Sequence, residues 1–111
     1  MSELDRAALA HDIGKYVCRI ARNVPDGGPF PAALAPLLAK DLYELPGGGR
    51  PSAAFDARAP SGDLPEVRGA FARIDAIEPD VRAGDPTACL EACALARAID
   101  DALRAYARAD R

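Results

Sequence analysis

A chain of 111 residues is one domain, long enough to enclose a single hydrophobic core. Half of its residues are apolar, but there is no Trp and there are only three Phe, three Tyr and one Met, so alanine dominates the apolar set and implies a thin core of closely approaching helices. The net charge is −3, Arg is interspersed with Asp and Glu, and no basic stripe carries interleaved aromatics, which argues against a nucleic-acid surface.

No run of about 20 apolar residues is present to span a bilayer. The N-terminus lacks a basic region followed by an apolar one, so no signal peptide is expected and the expected location is cytoplasmic. In that compartment Cys18, Cys89 and Cys93 read as thiols rather than disulfides.

The first predicted helix runs from about Glu3 to Arg22. Ser2 is a good N-cap, and Glu3 and Asp5 put negative charge where the helix dipole favours it. Leu9, Ile13, Tyr16 and Ile20, with Val17 alongside, recur at helical spacing and form one apolar face. At about 100° per residue, His11, Lys15, Cys18 and Arg22 fall on the opposite, outer face, with Asp12 at the flank. Gly14 interrupts this helix at a cost of about 1 kcal/mol relative to Ala. It also leaves room for another backbone to approach beside His11.

The segment from Asn23 to Pro29 breaks the helix with Pro25, Gly27 and Gly28. A second, shorter helix is expected from Pro36 to Leu45, with Pro36 in its first turn and a separate short turn over 31–35. Its apolar face reads as Leu34, Leu37, Leu38, Leu42 and Leu45. Residues 46–63 follow as a flexible Gly/Pro-rich loop, to which Phe55 supplies the one large apolar anchor. Its three consecutive glycines lack the spaced Gly-Lys-Ser/Thr of a phosphate loop, and no strand precedes them.

A third helix is expected from Pro65 to Glu78, ended by Pro79, with Val67, Phe71 and Ile74 inward. Asp85-Pro86 then reads as an N-cap and N1 pair opening a long helix to Arg108. Its expected seam is Ala92, Leu95, Ile99, Ala102 and Tyr106. No strand pattern and no internal repeat is present. The chain therefore reads as all-α: a small four-helix bundle of two long helices, the first and last, closed by two shorter ones. A second copy of the chain could complete its thin core as a homodimer.

His11 is the only histidine, and the residues around it carry what chemistry the sequence offers. The stretch Ala7-Ala8-Leu9-Ala10-His11-Asp12-Ile13-Gly14-Lys15 resembles the segment around the paired His-Asp of the HD metal-dependent phosphohydrolases. The resemblance implies phosphoester cleavage on one or two divalent metals, with His11 and Asp12 as ligands and Asp100 or Asp101 as the later Asp. That family also uses a further His upstream. Only ten residues precede His11 and none is His, so a complete site requires a second subunit.

A lone, outward-facing His on a long helix of a small bundle also resembles, more loosely, the histidine phosphotransfer domains and the dimerisation domains of sensor histidine kinases. That resemblance implies a phosphoacceptor imidazole at His11 with Asp12 and Lys15 beside it. The implied partner is a receiver domain or sensor kinase. Phosphotransfer domains place Lys three residues after the His and Gly four after, whereas Gly14 and Lys15 are reversed here. Kinase dimerisation helices carry a Pro five residues after the His, where this chain has Tyr16.

Counting disposes of other sites. Cys18 lies seven residues from His11 on the same expected helix, about 10 Å away, too far for a nucleophile–base pair. Cys18, Cys89, Cys93 and His11 would make a zinc set only if the first and last helices faced each other through those side chains. Small buried cysteines are otherwise ordinary core residues. The leading expectation is a non-catalytic regulatory or adaptor protein with no cofactor and no resident metal. It acts on a protein partner through the face of His11, Gly14, Lys15, Cys18 and Arg22.

Overall fold

The computed structural model describes residues 24, 29–44, 53, 55 and 64–108. Among them are a short 3₁₀ turn (Ala32–Leu34) and four α-helices: α1 (Ala35–Tyr43), α2 (Pro65–Ala76), α3 (Glu78–Arg82) and α4 (Pro86–Arg108). No strand occurs among the described residues, and the chain is a small all-α bundle. The first expected helix, with its Ser2 cap and its pairing with the last helix, lies outside the described residues.

Pro31 and the 3₁₀ turn lead into α1, with the Leu34 amide donating to the Pro31 carbonyl at 2.9 Å. Pro36 sits in the first turn of α1, where its missing N–H has no intrahelical acceptor to lose. The buried residues are Ala35, Leu38, Ala39, Leu42 and Tyr43, a full apolar stripe at helical spacing. Leu38 and Leu42 are buried as expected, and the rest of the expected face is corrected. Leu37 is 50% exposed and Leu34 is only partly buried, while Tyr43 takes an inward place. Leu37 and Leu38 stand about 100° apart around the axis, so both cannot point at the core. Alanine at 35 and 39 flanks Leu38 and lets α1 approach its neighbours closely. Leu45 lies outside the described residues.

Helix α2 starts at Pro65 behind Leu64, which has φ 54 and is the one non-glycine residue with positive φ among those described. The Leu64 carbonyl accepts from the amides of Val67 and Arg68, both at 3.1 Å. Val67, Phe71 and Ile74 are buried, as their spacing predicts. The helix ends at Ala76 rather than Glu78. Ile77 turns out of the helical path, and Pro79 begins a new helix instead of ending the old one. Pro79 has no N–H to offer the Asp75 carbonyl, so the α-helical ladder cannot pass through it. Pro79 is nevertheless well suited to the first turn of α3. Ile77 and Val81 continue the buried set across the break.

Helix α3 closes with a Schellman motif. The Gly84 amide bonds to the Val81 carbonyl and the Asp85 amide to the Asp80 carbonyl, each at 3.0 Å. Gly84 has φ 82, the left-handed backbone that this motif requires. The next helix begins at once: Asp85 Oδ2 accepts from the Ala88 amide at 2.9 Å, and Pro86 occupies the first helical position.

Helix α4 has the expected bounds but a rotated seam. Ala88, Cys89, Ala92, Cys93, Ala96, Ile99 and Leu103 are buried; Leu95, Ala102 and Tyr106 lie half-buried at its edge. Small side chains along α4 receive the larger ones of α2, and α1, α2 and α4 each also contact α3. The core is completed by Val24, Phe30 and Phe55. Within 46–63, Ala53 and Phe55 are the described residues, both with helical backbone. The rest of the expected flexible loop lies outside the described residues. Phe55 is fully buried, its ring 5.5 Å from that of Phe71 and its face 5.2 Å from the Arg68 guanidinium. It is therefore an anchor, as its isolation in a Gly/Pro-rich stretch implies.

Candidate functional site

The residues on which the expected function rests, His11, Asp12, Gly14, Lys15, Cys18 and Arg22, lie outside the described residues. Of the side chains weighed with them, Cys89, Cys93, Asp100 and Asp101 are on α4. The first two face inward; Asp101 is exposed, and Asp100 receives Arg104 Nε at 3.0 Å across one helical turn.

Cys89 and Cys93 are free thiols one turn apart, both completely buried. Cys89 Sγ lies 3.9 Å from the Val81 carbonyl, toward which its weak S–H donor points. Burial raises both thiols above their ordinary titration range, because a thiolate would lose its hydration among apolar neighbours. Cys93 is pushed up to about 11 by that burial, against the opposing charge of Arg97. Both are therefore thiols, not thiolates, at neutral pH. They fill space in the core and are poor nucleophiles there.

Several polar contacts of the described residues tie one element to another. Arg82 of α3 donates to Glu78 at 2.7 Å and to Glu44, just past α1, at 3.2 Å. Its guanidinium also lies 5.5 Å from the Tyr43 ring centroid. Arg73 of α2 and Glu91 of α4 form a two-pronged pair, one prong of 3.1 Å. The hydrogen bond from Arg73 holds the Glu91 carboxyl below the usual carboxylate range, and the guanidinium is raised in return. These pairs are exposed, so each adds little stability. Arg82–Glu44 and Arg73–Glu91 link different elements. Arg97 of α4 reaches the Val24 carbonyl at 3.2 Å and joins the segment after the first expected helix to the long helix.

The Glu78/Arg82 pair could have been read from its four-residue spacing. The Glu44, Glu91 and Val24 contacts join residues distant in sequence and leave no local signal. Among the described residues no group of three or more His, Cys, Asp or Glu is placed to hold a metal ion, and no helix is long and apolar enough to cross a membrane. Comparison of the chain with protein-family models, with curated proteins and with solved structures finds no match.

Proposed function

We propose that this protein is a non-catalytic regulatory or adaptor bundle that binds a protein partner through the face of His11, Gly14, Lys15, Cys18 and Arg22. The observation that carries this reading is where the reactive side chains of the described residues go. Its two thiols are buried and protonated in the core. Arg73, Arg82 and Arg104 are engaged by acidic neighbours. These residues hold the bundle together, and the segment around the single histidine is where the sequence itself offers further chemistry. On the helix expected there from the sequence, His11 and Lys15 would fall on the face opposite Leu9, Ile13, Tyr16 and Ile20. The interruption at Gly14 suits close approach by a partner's backbone.

The test is affinity capture from lysate of the native organism with the wild-type chain and with a His11→Ala/Lys15→Ala variant. Each captured protein is then titrated against both baits, and the wild-type chain is assayed for acid-labile phosphate and bound metal. A partner that binds the wild-type chain and loses at least tenfold in affinity for the variant is the expected result, with neither phosphate nor metal on the chain. Equal affinity for both baits overturns the assigned face. Acid-labile phosphate that disappears in His11→Ala makes the protein a phosphorelay component, with a receiver domain or sensor kinase as partner. Stoichiometric Mn, Fe or Zn makes it a subunit-completed HD-type hydrolase.

A further inference from the structure

We draw no further inference here: the strongest candidate, the exposed apolar edge where Pro31, Ala32, Ala33, Pro36 and Leu37 lead into and begin α1, carries nothing because nothing in the structure shows what covers it.

Discussion

The hydroxyl of Tyr43 donates a buried 2.7 Å hydrogen bond to the carbonyl oxygen of Ile74. Ile74 lies in the last turn of α2, where the carbonyls have run out of intrahelical donors because the chain turns at Ile77. A side chain at the end of α1 thus supplies what the break between α2 and α3 removed. Tyr43→Phe keeps the ring in the core and leaves that carbonyl unpaired. The expected loss is about 1–3 kcal/mol, read as a lower urea midpoint with an unchanged slope. An unchanged midpoint would mean that the carbonyl finds another donor.

Phe55 and Leu37 invert what their surroundings suggest, since the residue in the Gly/Pro-rich stretch is buried and the one in a leucine-rich helix is half exposed. Phe55→Ala should cost about 3–5 kcal/mol, the usual range for emptying an aromatic site in a core. Leu37→Ala should stay within about 0.5 kcal/mol. Thermal melting of the two variants beside the wild type checks both, and a larger loss at Leu37 would reverse the assignment of the α1 face.

Asp85 joins two helices, since its backbone amide closes the Schellman motif of α3 and its carboxylate caps α4. Asp85→Ala removes only the second role and should cost about 1 kcal/mol, while Asp85→Ser should recover most of it. Chemical denaturation of the pair separates the cap from general loss of charge, because serine restores the acceptor without the carboxylate.

The core thiols make stability fall at alkaline pH. Folded Cys93 holds its proton up to about 11, well above the ordinary thiol value of 9.0, and Cys89 is raised in the same direction. The folded state therefore binds more protons than the unfolded state in that interval. Their contribution is fully present below 9.0 and is lost as pH rises toward about 11. In a Cys18→Ala background, a Cys89→Ala/Cys93→Ala variant should show a shallower alkaline decline in urea midpoint. The two thiols should also react with a disulfide reagent only on unfolding. Rapid labelling of the native protein would show that α4 opens readily.

The bounds of α4 could be read directly. Asp85-Pro86 marks its start through the hydrogen bond and the fixed φ that those two residues supply locally, and the periodicity behind them runs unbroken to Arg108. Phe55 was likewise legible, because one large aromatic among Gly and Pro has few uses other than anchoring. The α2–α3 break was half legible: Pro79 marks a disturbance at that place, but its effect on the preceding helix and on the following one point in opposite directions. The face around His11 rests on periodicity alone and lies outside the described residues.

The helical type of the segments, the start of α4 at Asp85-Pro86 and the place of Pro36 in the first turn of α1 depend on contacts within a few residues, so the order of amino acids determined them without reference to the rest of the molecule. The inward face of α2 followed from the spacing of Val67, Phe71 and Ile74, but the buried side of α1 and of α4 depends on what lies opposite. The exclusion of Leu37 from the α1 face and the inclusion of Tyr43, and the turn of α4 from Leu95 toward Cys93 and Ala96, were decided only when the helices packed. Small side chains on one helix make room for large ones on another, and that complementarity exists only between elements distant in sequence.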